Sequence, residues 1–496
     1  MAITRHLAFD LGAESGRAIV GIFDNGSMTL DEIHRFKTGG HNVNDSSYWD
    51  IINIYDELIS ALKKYSKKYG PELDSLGIDA WGVDFGLLDC NGKLVSMPYT
   101  YRDERVNDMD LKIDRIFGKR KLYDSTGIQM LPINTLNQVV GMLNKNDPTL
   151  QISDKILFIG DLLHYLLTGE ISVEYTGVSI SQLYNNIIND WDDEIFNKFN
   201  IPEKIQGKVI RAGDFIGYLK KDICRETGIS KVKVIAPAVH DTASASVAVP
   251  AGSHEKWAYL SSGTWSIVGI ELDSPIINDI SFEMNVSNSG GVLGKTLFLK
   301  NVMGLWIIQQ CKKEWNKADP DLTYEKIDKQ VLNAKPFKAF FDPDDLCFFS
   351  PANMLEAVTA YVKNTGQGVV DPFDIGAVSR IVYESLAFKY NYVLSRINKS
   401  ADKTEDVLYL LDGGAKNEIL NQFTSNATGL KIVTGHAEST AIGNILMQCK
   451  GLGLLNSLDE MRSVVRNCYA SKVYMPDETA GWRTVYNEYL DHTELK

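Results

Sequence analysis

The chain opens on a short apolar run at residues 7–9, a glycine-containing turn at 10–16, and a second apolar run at 17–23. Two apolar runs around a small-residue turn predict a hairpin. Strand-like runs follow at 76–79 and 84–88, the latter closed by the turn Cys90-Asn91-Gly92-Lys93. Helical spacing covers 53–65 and 161–168, with Gly169 ending the second stretch. Strands and helices mixed in this way predict the α/β class.

A further strand at 232–239 leads into His240-Asp241-Thr242-Ala243-Ser244-Ala245, and then to Pro250, Gly252 and Ser253. Turn formers between two patterned regions mark a domain boundary, so domains are expected at 1–246 and 247–496. The second half begins as the first did, with a strand at 258–260, a turn at 261–264 and a strand at 265–272. The sequence Ala18-Ile19-Val20-Gly21-Ile22 after the first turn is echoed by Ser266-Ile267-Val268-Gly269-Ile270 after the second. The recurrence predicts two related domains, each offering one loop to a cleft. Residues 377–398 place Val378, Val382, Leu386, Val393 and Ile397 on one helical face, which is core spacing. A strand at 407–411, the turn Asp412-Gly413-Gly414, a helix at 417–428 and a strand at 431–433 follow.

Composition narrows the partners. The 496 residues are 44% hydrophobic and 23% charged, with a formal net charge of -13. Such a surface repels a polyphosphate backbone, so a small-molecule partner is expected rather than nucleic acid. Arg5, His6 and Asp10 interrupt the first apolar stretch, which therefore lacks a secretory core. No run approaches the ~18 apolar residues of a membrane span. Cys90, Cys224, Cys311, Cys347, Cys449 and Cys468 are scattered without a CxxC pair, as for reduced thiols in a cytosol. A cytoplasmic protein with no membrane partner is expected, as a monomer or homodimer.

Three glycine turns, at 10–17, 261–264 and 412–414, could each bring backbone N–H groups against phosphate oxygens. Each alone is also an ordinary turn. The segment from Ser289 to Thr296 ends like a phosphate-binding P-loop, but it lacks the first glycine and runs into an extended stretch. No GxGxxG follows a strand, so a dinucleotide domain is disfavoured. Phosphate hairpins recurring in two halves are the logic of the actin-like, ribonuclease H-like ATPase fold. Asp241 stands at the end of an apolar strand. A carboxylate there can take the proton of a sugar hydroxyl as it attacks a phosphoryl group, or can simply cap the next helix.

Taken together, several segments resemble the FGGY carbohydrate kinases, and among them the rhamnulokinase branch. They are residues 10–17, Trp81-Gly82-Val83-Asp84-Phe85, Tyr101-Arg102-Asp103, residues 240–245, residues 259–266, residues 301–306, and Gly413-Gly414 followed by Asn417. They run in family order over nearly the whole chain. The resemblance implies a two-domain ATP-dependent sugar kinase with Asp241 as catalytic base. It places ATP against Ala13, Glu14, Ser15, Gly16, Arg17, Thr264, Gln309 and Gly413. It places the sugar against Gly82, His240, Thr242 and Asn301, and magnesium beside Asp10, through water. The implied acceptor is a ketose, L-rhamnulose at O1, with L-fuculose as the alternative. An actin-like ATPase that phosphorylates no small molecule is the rival from another class.

Some positions carry their own expectations. Trp81, Trp265 and Trp306 read as packing residues, Asn301 also as a helix cap, and Arg102 with Asp103 as a structural pair. Asp412 replaces a family glycine. Glu14 brings an anion near phosphates, to be offset by magnesium or Arg17. Gly86 suggests an enlarged sugar pocket.

Overall fold

In the computed structural model, residues 3–411 and 413–495 are described, so Asp412 lies outside the described residues. The fold is α/β and divides into two compact units. The first comprises Met1–Ser253, Glu271–Phe298 and Glu438–Ala470; the second comprises His254–Ile270, Leu299–Ala437 and Ser471–Lys496.

The first unit is built on six strands, β1 (Thr4–Leu11), β2 (Ser15–Asp24), β3 (Ser27–Lys37), β4 (Ser75–Ala80), β5 (Phe215–Tyr218) and β6 (Lys233–Ile235). Their order is β3-β2-β1-β4-β6-β5. The expected first hairpin is β1 and β2, antiparallel with Leu11 opposite Gly16. On its other edge β1 runs parallel to β4, and β4 parallel to β6. Every residue of β4 is buried, as expected of a parallel strand covered on both faces. On one side lies the helix Ile159–Thr168, whose His164 Nε2 accepts the Ile78 N–H at 2.9 Å. On the other lies Ser439–Gly451, whose Asn444 Nδ2 donates to the Gly77 carbonyl at 3.2 Å.

In the second unit, β7 (Trp257–Ser262), β8 (Trp265–Leu272), β9 (Thr296–Met303), β10 (Val407–Leu411), β11 (Lys431–Thr434) and β12 (Val473–Tyr474) lie within a seven-stranded sheet. There the run β9-β8-β7-β10-β11-β12 repeats the first sheet strand for strand. A hairpin leads, β7 runs parallel to β10 and β10 to β11, and an antiparallel strand closes the edge. The five-residue echo thus marks a repeated sheet. One difference is that the edge strand precedes its neighbour in the first unit and follows it in the second.

The helix expected near 53–65 spans Ile51–Tyr69, capped by Asp50, whose side chain accepts from the Asn53 N–H. The long core helix spans Ile375–Ala401. Ser439–Gly451 had no clear sequence signal, because burial of Ser439 through Cys449 leaves it without a polar face. It packs against Asp241–Val247 so closely that a Cβ on Gly443 would fall 1.8 Å from the Ser244 carbonyl oxygen. Gly443→Ala is therefore expected to cost about 3 kcal/mol by overpacking. Thermal unfolding checks this; a midpoint equal to wild type would show that the two helices are not so closely seated.

Candidate active site

Asp10 and Asp79 are Cα partners in the parallel pairing of β1 with β4. One residue on, Ala80 bridges to His240 in parallel, and the Ala80 N–H donates to the Val239 carbonyl at 2.8 Å. Asp241 follows directly. Parallel register thus gathers three aspartates at the carboxyl ends of adjacent chain segments, the edge where open α/β sheets bind ligands.

Their environments differ. Asp79 is fully buried; burial first, then the charges of Asp10 and Asp241, push its carboxyl pKa well above the usual range. Asn444 Nδ2 donates to its Oδ2 at 2.6 Å, while Oδ1 is buried without a hydrogen-bond partner. Asp10, beside it, is paired with Arg17, its opposite in the β1–β2 hairpin, and Arg17 also pairs with Glu438. Arg17 therefore bridges Asp10 and Glu438 and offsets one of their two charges, while Glu14 is exposed beside Ala13 and Ser15 in the turn.

Asp241 begins the helix Asp241–Val247, and His240 holds the cap position. The capping alternative is thereby resolved: the Asp241 carboxylate lies within the first turn. Its Oδ1 accepts the Thr242 N–H at 2.6 Å and Oγ1–H at 3.2 Å, and His240 Nε2 lies 3.5 Å away. About a third of the Asp241 side chain remains exposed. Burial lowers the His240 pKa, opposed by Asp241, which favours a neutral imidazole that can donate or accept. Gly82 lies against this ring: a Cβ there would meet Ile180 Cδ1 at 2.5 Å and His240 Nε2 at 3.3 Å.

Beyond Gly82, Val83 has φ +69°, a left-handed conformation costly for a β-branched residue. Hydrogen bonds to its carbonyl and to the next side chain hold it. Thr135 Oγ1 donates to its carbonyl at 2.7 Å, and the buried Asp84 carboxylate takes the Trp49, Trp81 and Gln138 side-chain donors at 2.6, 3.0 and 2.9 Å. Trp81 is a packing residue, its ring 4.3 Å from that of Trp49.

The second unit carries the other group of expected residues. Thr264 lies in the β7–β8 turn, its carbonyl accepting the Gly304 and Trp306 N–H groups at 3.1 and 3.2 Å. Thr264 Oγ1 reaches Gln309 Oε1, on the helix Trp306–Trp315, at 3.5 Å. Gly413 opens a 3₁₀ turn at the end of β10. Its neighbour Gly414 seats on the hairpin, where a Cβ would fall 2.3 Å from Ser262 Oγ. The structure thus joins Thr264 with Gln309, and Asp10 and Arg17 with the Gly82, His240, Asp241 and Thr242 group.

Several sequence expectations change. Asn301 lies inside β9 and is no helix cap; Leu305 holds that position. The ion partner of Asp103 is Arg105, at 3.6 Å, and Arg102 stacks on Tyr101. Gly86 opens no pocket, because a Cβ there would meet Leu162 Cδ2 at 2.7 Å. The P-loop look-alike lies between two strands, and its Lys295 pairs with Asp273 at 2.6 Å. Asp79, Glu438 and Asn444 were missed. Asp79 had one signal, an acid inside a wholly apolar run; the other two had none, since chain order separates them from β1.

Comparison with known proteins agrees with this arrangement. Solved carbohydrate kinases share the fold: a gluconate kinase from Lactobacillus acidophilus superposes with a TM-score of 0.82 at 17% identity, covering 99% of this chain and 97% of that one. A Plasmodium falciparum glycerol kinase with ADP gives 0.77 at 15% identity, covering 100% and 99%. The FGGY family of carbohydrate kinases, N-terminal domain, matches residues 6–248, and its C-terminal domain matches 258–452. The chain belongs to the FGGY family of carbohydrate kinases, phosphotransferases for which ATP is the implied co-substrate. Among its relatives, the rhamnulokinase of Bacteroides thetaiotaomicron is 38% identical over 97% of this chain and 97% of its own. Those of Oceanobacillus iheyensis and Bacillus subtilis are 35% and 34% identical over 95% of this chain, and over 98% and 96% of their own. Among the described residues no helix is long and apolar enough to cross a membrane.

The raised Asp79 pKa carries a sign. The native state binds a proton at this site that the unfolded chain releases above its ordinary carboxylate pKa, so this contribution destabilises increasingly as pH rises. Asp79→Asn keeps an acceptor for Asn444 and removes that dependence. Its unfolding midpoint should exceed wild type by more at pH 8 than at pH 5; an equal difference at both would assign the penalty elsewhere.

Proposed function

We propose that the protein transfers the γ-phosphoryl group of ATP to O1 of L-rhamnulose, giving L-rhamnulose 1-phosphate and ADP, with Asp241 as general base. The observation that carries the substrate is near-full-length identity of 34–38% to six rhamnulokinases. Asp241 is the partly exposed member of three gathered carboxylates, with His240 beside it and Gly82 against the His240 ring. The O1 hydroxyl gives its proton to Asp241 as the O1–phosphorus bond forms and the bond to the β-phosphate oxygen breaks. In a loose transition state the proton leaves late, so the carboxylate chiefly orients the hydroxyl.

Gly82, His240, Thr242 and Asn301 bind the ketose in this reading. The same reading assigns the phosphates to Ala13, Glu14, Ser15, Gly16 and Arg17, and the nucleotide to Thr264, Gln309 and Gly413. As sequence domains, 1–246 then carries the base, the first phosphate loop and the sugar contacts other than Asn301, and 247–496 carries the second phosphate loop and the nucleotide site. Magnesium ordinarily takes one or two carboxylates plus phosphate oxygens and water. The residues fit that mode: Asp10 beside the first turn, with a buried unpartnered oxygen on neighbouring Asp79, and no cage of three ligating side chains among the described residues. Asp10 would hold the ion, through water, and the ion would neutralise charge on the transferring group. The setting is a cytosol, in deoxy-sugar catabolism.

Asp241→Asn should keep ATP binding and lower ketose-dependent kcat by about 10²–10⁴-fold; turnover within a few-fold of wild type would remove Asp241 from the base role. ATP consumption across L-rhamnulose, L-fuculose, xylulose, ribulose and glycerol should rank L-rhamnulose first by kcat/KM. A higher value for L-fuculose would reassign the substrate, and turnover indifferent to every sugar would favour an ATPase without an acceptor.

A further inference from the structure

The turn that presents Asp241 is held on one edge by β4, through the Ala80 N–H on the Val239 carbonyl. Its other edge rests on a buried carboxylate. Glu174 ends a two-residue strand and caps the helix Tyr175–Ser179. Its Oε2 accepts the Thr176 N–H at 2.9 Å, the Thr176 Oγ1–H, and the Val239 N–H at 3.0 Å. Thr176 Oγ1 in turn accepts the His240 N–H at 3.1 Å. One side chain, with the hydroxyl it seats, therefore fixes the two peptide N–H groups immediately before Asp241. Glu174 is itself placed from behind by Asp161, whose Oδ1 accepts the Glu174 N–H at 3.1 Å.

The arrangement is costly. Glu174 is 1% exposed and Asp161 2%, and each keeps a buried oxygen without a partner. Burial lifts the Glu174 pKa to about 7, opposed by the donors from Thr176 and Val239. An apolar pair of the same volume would pack here without that penalty, but it would leave the Val239 and His240 N–H groups unheld.

We propose that Glu174, acting through Thr176, is a positioning residue for Asp241: it fixes the backbone from which the base and His240 project. The inference rests on the kinase reading above. Glu174 meets neither substrate, so its removal should act on the geometry reached in the transition state. Misplacement by ~1 Å of a catalytic group can cost on the order of 10²-fold in rate.

The test compares Glu174→Gln, Thr176→Val and the double variant with the full-length wild type. The measurements are ketose-dependent kcat, KM for ketose and ATP, and the fraction of sites that bind ATP. Each single variant should lower kcat per ATP-binding site by about 10–100-fold with both KM values within about threefold, the pattern of an interaction expressed in the transition state. Because both act through one turn, the double variant should fall little below the worse single. Thr176→Ser, which keeps the hydroxyl, should return kcat to within about threefold of wild type. Amide hydrogen exchange at Val239 and His240, measured without substrate, should be faster in Glu174→Gln. A kcat per binding site within twofold of wild type in both single variants, a loss confined to KM, or unchanged exchange would overturn the positioning role. Wild-type turnover that no sugar stimulates would instead overturn the kinase reading, and the role of Glu174 with it.

Discussion

The parallel pairing of β1 with β4 is the constraint on which the rest of the first unit depends. Its register sets Asp10 beside Asp79, and its extension through Ala80 sets His240, and hence Asp241, beside both. A slip of one residue would turn each side chain to the opposite face of the sheet. Carboxylates gathered this closely repel one another and resist burial. The structure offsets this in three ways: Arg17 pairs with Asp10, Asn444 bonds Asp79, and Asp241 remains partly exposed. Carboxylates perturbed by burial and by one another at one sheet edge mark that edge as the functional-site candidate.

The repeated sheet places two equivalent turns, one in each unit. Each unit has one hairpin turn, residues 12–14 in the first and 263–264 in the second, at the same place in an equivalent sheet. The surroundings then diverge. The first turn is followed by Arg17, a cation facing the acidic edge; the second is braced by the Gly304 and Trp306 N–H groups and sits against Gln309. A duplicated scaffold thus carries one charged loop and one neutral loop. The buried Glu174, bonded to the Val239 N–H and backed by Asp161, and the strained Val83, next to Gly82, add polar burial and backbone strain around His240. Stability alone would favour apolar replacements there.

Much of the fold was legible because hydrophobic periodicity reflects local burial. The hairpin at 7–23, the helix ended by Gly169, and the helix ended by Gly429 were all readable, and both glycines adopt the left-handed conformation that terminates a helix. The helix Ser439–Gly451 was not, because a helix buried on every side shows no alternation of polar and apolar positions. Gly86 was misjudged for a related reason. A missing side chain in sequence reads as space, but Leu162 fills it.

By itself the sequence determined the α/β class, the repeat of the hairpin and the family, and it singled out Asp241 as the candidate base, since each rests on residues close together in the chain or on their order. It also placed Asp241 after a strand and before a helix; in the structure the strand ends at Ile235 and Asp241 is the first residue of the helix. What only the tertiary structure decided is the company that residue keeps. Asp79 reaches Asp10 across 69 positions of sequence, Asn444 reaches Asp79 across 365 and Glu438 reaches Arg17 across 421, through sheet register and helix packing. Glu174 reaches Val239 across 65. Pairing across such distances depends on how buried surfaces fit in three dimensions, which no local pattern of apolar and polar residues encodes.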